Sequence, residues 1–89
     1  MNDTTPVTFR IVNKELLAIF PTLPANRGNM VVYAHIGQHG EASIEYIQSG
    51  RPALPEEYND LLQELISMGY DDLKVYKRIQ RKHYGKGWE

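Results

Sequence analysis

The stretch from Leu54 to Ile79 constrains the fold more than any other part of this chain. It reads as one amphipathic helix, one tight stop and one strand. Pro55 stands where the first helical residue belongs, and there its missing N–H is no loss. Glu56, Glu57 and Asp60 follow, near the positive end of the helix dipole. Tyr58, Leu61, Leu62, Leu65 and Ile66 recur at i, i+3, i+4, i+7 and i+8, which draws one apolar stripe. Gly69 falls where a left-handed C-cap residue is needed. Leu73 to Ile79 is then a short strand-like run. A helix with one stripe needs one apolar surface, and the residues before it must supply that surface.

They read as strands. Val7 to Val12 alternates, with Val7, Phe9 and Ile11 on one face and Thr8 and Arg10 on the other. Asn13-Lys14 is a two-residue turn, and Glu15 to Phe20 completes a hairpin. Pro21, Pro24, Asn26, Gly28 and Asn29 make a loop rich in breakers. Met30 to Ile36 carries β-branched and aromatic residues and reads as a third strand. Gly37-Gln38-His39-Gly40 reads as a loop. Ala42 to Ile47 is ambiguous. Alternation of Ala42, Ile44 and Tyr46 favours a fourth strand, whereas Ile44 and Ile47 at i, i+3 allow a helical turn. The strand is the preferred reading, because Ser49-Gly50-Arg51-Pro52 ends the run so soon.

The expected order is therefore β-β-β-β-α-β, an α+β fold. An antiparallel sheet of about five strands packs on one helix in two layers. Phe9, Ile11, Ile19, Val32, Leu61, Leu62, Leu65, Ile66 and Val75 are the expected core. One domain is expected over 1–89, ordered from about 7 to 80, with 1–6 and 81–89 flexible.

Eighty-nine residues bury about 60–65% of the surface that an unfolded chain exposes, enough for one core without staples. The chain has no cysteine, hence no disulfide and no thiolate metal site, which suits a reducing cytoplasm. Met1 to Thr8 lacks a signal-peptide pattern, and the apolar runs are too short for a membrane span, so no membrane partner is expected. Charge is unevenly spread. Residues 1–40 carry three bases against two acids, 41–72 one base against eight acids, and 73–89 six bases against one acid. An acidic helix face beside a basic strand and tail explains this blandly. The sharper reading is a basic end that contacts phosphates or an acidic partner.

His35 and His39 are four apart, a spacing that suits zinc on a helix. Gly37 and Gly40 interrupt the run, and it lacks the glutamate of a zinc-protease helix. No metal and no cofactor are expected. Ser43, Ser49 and Ser67 sit in no nucleophile pattern, and the carboxylates lie mostly on the expected helix face. Gly37 and Gly40, flanked by Ile36 and Ile44, have the glycine spacing with which KH domains clamp a nucleic-acid backbone. Against that, the preceding segment is β-rich and the loop has no base.

Six tyrosines are present. If Met30, Val32, Ala34 and Ile36 face the helix, Val31, Tyr33 and His35 share the opposite face. Tyr76, flanked by Lys74 and Arg78, joins them there. Aromatics beside bases can stack on single-stranded nucleic acid, form a protein interface, or simply stabilise a sheet.

Ala34-His35-Ile36-Gly37-Gln38-His39-Gly40, Arg51-Pro52-Ala53, Pro55-Glu56-Glu57-Tyr58 and Gly69-Tyr70 together resemble a set of short bacterial proteins with no assigned function. The likeness covers most of residues 30–79. It implies a bacterial or mobile-element origin and no particular activity. In related-looking segments a threonine commonly precedes the helix proline. Leu54 stands there in this chain, so the side-chain N-cap is absent.

The expected protein is a cytoplasmic, non-enzymatic interaction module that self-associates through an exposed sheet face or an edge strand. Its expected face comprises Tyr33, His35, His39 and Tyr76, and its partner is a second copy or an unidentified protein. The alternative is a binder of single-stranded nucleic acid through Lys74, Lys77, Arg78, Arg81, Lys82 and Lys86. A small enzyme or metal protein around His35 and His39 comes third.

Overall fold

A computed structural model describes residues 5–23, 25–26, 28–34 and 38–78. It is an α+β fold: a largely antiparallel sheet with one main helix. The strands are β1 (Thr5–Val12), β2 (Glu15–Phe20), β3 (Asn29–Ala34), β4 (Gln38–Ser43), β5 (Arg51–Pro52) and β6 (Leu73–Val75). The helices are α1 (Ile44–Gln48), between β4 and β5, and α2 (Pro55–Ser67), between β5 and β6.

β1 and β2 form the expected hairpin, closed by the Val12–Glu15 pair. Asn13 and Lys14 have φ of 52° and 67°. Two successive left-handed residues are what a tight hairpin turn requires. β3 adds to β2 and β4 to β3, both antiparallel, so the sheet runs β4-β3-β2-β1. The second edge of β1 is shared. β5 pairs antiparallel with Arg10 and Ile11, and β6 pairs parallel with Thr5 to Val7. Thr5 and Pro6, expected to fray, therefore belong to β1. Two backbone bonds of 2.9 Å extend this seam, from Ala53 N–H to the Phe9 carbonyl and from Tyr76 N–H to the Val7 carbonyl. The expected last strand closes after Val75; its end at Ile79, and the expected flexible segments 1–4 and 81–89, lie outside the described residues.

α2 begins as read. Pro55 opens it, and the Glu57 carboxylate turns back to accept from the Leu54 N–H at 2.8 Å. Its C-terminus is a Schellman stop. Gly69, with φ of 113°, donates to the Ile66 carbonyl and Tyr70 to the Leu65 carbonyl. Leu61 and Leu65 are buried, Tyr58 and Leu62 partly so, but Ile66 is 45% exposed. At about 100° per residue, Ile66 lies roughly 100° round the helix from Leu65, at the margin of the stripe.

Three expectations are corrected. Gln38 to Gly40, expected as loop, instead opens a strand that runs to Ser43, because its backbone finds partners along all of β3. Ile44 to Gln48 is a helix rather than a strand. Ser43 caps it, its Oγ accepting from the Tyr46 N–H at 3.1 Å. The glycine pattern of a KH loop is thereby lost, since Gly40 lies within β4. Third, the two sides of β3 are exchanged. Met30, Val32 and Ala34 pack with Val12, Leu17, Ile19, Ile44 and Ile47, under α1. Tyr33 instead packs with Val7, Phe9, Ala18, Phe20, Leu61 and Leu65, under α2. The face expected to be open is covered by α1, whose placement depends on β1. Arg10 donates from Nε to the Ile47 carbonyl (3.0 Å) and from Nη2 to the Gly50 carbonyl (2.7 Å). A cation thus meets the carbonyls that end a helix.

Candidate functional site

Covering both faces leaves the margins of the sheet. On the β1 side the outermost strands are β5 and β6, two and three residues long. Very short edge strands offer little to an incoming chain. On the other side stands β4, six residues long. Among the described residues no strand pairs with its second edge.

The register fixes which groups that edge presents. The Ile44 N–H donates to the Gly28 carbonyl at 3.0 Å. In an antiparallel ladder, hydrogen-bonded and non-hydrogen-bonded pairs alternate. With Val32 opposite Gly40 and Met30 opposite Ala42, Gly40 and Ala42 turn their backbone groups to β3. His39, Glu41 and Ser43 turn theirs outward.

The side chains of this edge are also held. His39 is exposed, and its ring meets that of Tyr33 edge-on, with centroids 4.6 Å apart. The Tyr33 hydroxyl donates to the Glu64 carboxylate of α2, which anchors the ring from beneath. Glu41 Oε1 accepts from the Asn26 N–H (3.1 Å) and from Asn29 Nδ2 (3.2 Å). On the opposite face Tyr46, 41% exposed, stands beside Gly40 and Ala42 over a shallow hollow of about 240 Å³.

Of the expected face of Tyr33, His35, His39 and Tyr76, the described members do not share one open surface. Tyr33 is 1% exposed. Tyr33 and His39 are cross-strand neighbours, but Tyr76 follows β6. That is four strand spacings from β4, or ~19 Å at ~4.8 Å each. His35 lies outside the described residues. So do Arg81, Lys82 and Lys86. Tyr76 lies instead at the seam, where Phe9, Ala53, Leu54, Tyr58 and Val75 line a groove of about 340 Å³. Its floor is the stacked pair Phe9–Tyr58, with centroids 4.3 Å apart and planes 8° apart. Lys77 and Arg78 form its rim, and Lys74 Nζ stands 5.5 Å from the Tyr76 ring centre.

The clearest displaced carboxyl belongs to neither place. Glu57 is lowered from 4.5 to about 2, chiefly by its hydrogen bonds from Arg51 and from the Leu54 backbone. The pair is bidentate, at 2.8 and 2.7 Å, and joins β5 to the start of α2. Such a shift reports a structural ion pair, not a poised acid or base. Among the described residues no three His, Asp or Glu side chains gather as a metal site, and no helix is long and apolar enough to cross a membrane.

An edge strand was among the expected routes of association, but sequence reading missed that 38–43 forms it. Its signal was weak but present: Ser43 before Ile44 and Glu45 is a helix-start pattern, and it leaves 38–43 as the fourth strand. No protein-family model, curated protein or solved structure matches the chain.

Proposed function

We propose that this chain is a non-enzymatic interaction module of the bacterial cytoplasm that self-associates through the outer edge of β4. The observation that carries this reading is the contrast between the two margins. One is closed by two short strands, while the other is a six-residue strand without lysine or proline. Natural edge strands are commonly blunted by such residues. An incoming strand gains main-chain hydrogen bonds there, which supply affinity without a pocket.

Sedimentation tests it. A concentration-dependent dimer is expected that survives ~0.5 M salt, because screening acts mainly on exposed charges and leaves backbone bonds intact. A chain that stays monomeric at millimolar concentration refutes the reading.

The exposed Lys74, Lys77 and Arg78 around Tyr76 favour a second reading, single-stranded nucleic acid binding at the seam. Binding of that kind must weaken steeply with salt as counterions are released. Random oligonucleotides are expected to bind no more tightly than the non-specific ~10⁻⁴–10⁻⁶ M range at physiological salt. Nanomolar binding by a strict monomer reverses the order.

A further inference from the structure

We infer that two copies pair β4 to β4 antiparallel about a two-fold axis at Gly40, with His39 of each copy opposite Glu41 of the other. This rests on the self-association proposed above and fixes its geometry.

The backbone restricts the choices. Only His39, Glu41 and Ser43 direct their N–H and carbonyl groups outward, so hydrogen-bonded pairs across the new seam must join these residues. A two-fold axis can then pass through one of a few pivots, and a two-fold interface places each surface against itself. Pivoting at His39 leaves only the His39 pair bonded within β4. Pivoting at Glu41 sets two carboxylates directly opposite, and like charges in that position are destabilising. Pivoting at Ala42 joins Glu41 to Ser43, whose hydroxyl already caps α1, and leaves His39 outside the seam.

Pivoting at Gly40 has none of these faults. It makes two His39–Glu41 pairs, each of an imidazole and a carboxylate on the same face of the sheet. A carboxylate can accept about four hydrogen bonds, so the two that Glu41 takes from Asn26 and Asn29 leave capacity. The glycines themselves meet as a non-hydrogen-bonded pair, where Cα atoms approach to about 4.5 Å. Gly40 suits that approach, and a Cβ there would have nothing within 4 Å in its own chain. Tyr46 and Ala42 of each copy flank the axis on the other face.

The absence of native cysteine makes a direct test clean. Full-length Gly40→Cys and Glu41→Cys are oxidised side by side with a disulfide buffer. Gly40→Cys is expected to cross-link at least about ten-fold faster, because facing Cα atoms at that separation lie within disulfide reach. Sedimentation of charge variants supplies the independent arm. His39→Glu and Glu41→Lys are each expected to raise the dimer Kd about ten-fold, and the double variant to restore it. Recovery in the double variant separates charge pairing from a folding defect. Faster cross-linking at position 41, or a double variant as weak as the singles, overturns the Gly40 register while leaving self-association standing. A wild-type chain that never dimerises overturns both.

Discussion

Gly50 is the residue on which the most structure turns. Its carbonyl receives Arg10, and a Cβ built on it would collide with the Ile11 carbonyl and approach Val12 Cγ2 to 2.7 Å. The Ile11 carbonyl belongs to the backbone of β1 and cannot swing aside. Gly50→Ala is therefore expected to destabilise by about 1–3 kcal/mol, the range for overpacking, and a urea midpoint equal to wild type refutes the close approach. Glu57 sets a pH dependence of definite sign. Its carboxyl falls from 4.5 to about 2 on folding, so the folded chain holds its negative charge more tightly than the unfolded one. The stabilisation is complete above pH 4.5 and is lost as pH falls through about 2. Glu57→Gln should melt below wild type at pH 6, and the gap should close on acidification toward pH 2. A gap that does not change with pH means that the Arg51 pair contributes nothing. Neither residue's role is written in its local sequence. Gly50 reads as a turn residue, and nothing local says that β1 passes beneath it.

Among the elements, β2 and the start and stop of α2 were legible, because their cues are local: an apolar run from Glu15 to Phe20 after a two-residue turn, a proline start, a stripe and a glycine stop. Their fine structure supports two tests. Leu65→Ala is expected to cost ~2–5 kcal/mol, as for a fully buried leucine, and Ile66→Ala under ~0.5 kcal/mol, as for an exposed site. Equal costs would mean that the stripe is centred elsewhere. Leu54 has no side-chain acceptor, while Glu57 already bonds its N–H. Leu54→Thr completes the reciprocal cap and should stabilise by up to ~1 kcal/mol. A urea midpoint at or below wild type would show that the apolar contacts of Leu54 at the seam outweigh a cap. The elements that were not legible depend on distant partners. Gly40 and His39 are poor strand formers, and β3 makes them a strand. The facing of Tyr33 was undecidable from pattern, since Val31 and Tyr33 are as apolar as Met30, Val32 and Ala34. When both faces of a strand are covered, alternation loses its meaning.

At the scale of the whole molecule, the sheet is closed at one margin by chain from its far end. Thr5 donates to Asp72 through both its N–H and its hydroxyl, each at 2.8 Å, so the first strand is stitched to the last. That closure belongs to no local motif, and neither does the margin at β4, whose outer edge pairs with no strand among the described residues. An edge is a backbone property, which is why the candidate site could not be read from side chains alone. Its exposure also sets how stability should scale. If two copies share β4 and separate only on unfolding, mass action favours the folded pair as concentration rises. Each tenfold increase then adds about 0.7 kcal/mol per chain, half of the ~1.4 kcal/mol that a factor of ten is worth. For a domain of this size, that raises Tm by about 3–5 °C. Scanning calorimetry from 10 µM to 1 mM should therefore move the midpoint upward for wild type, and much less for His39→Glu, whose paired edge is weakened. A midpoint that stays fixed over that range would mean that the β4 edge is unoccupied when the chain melts.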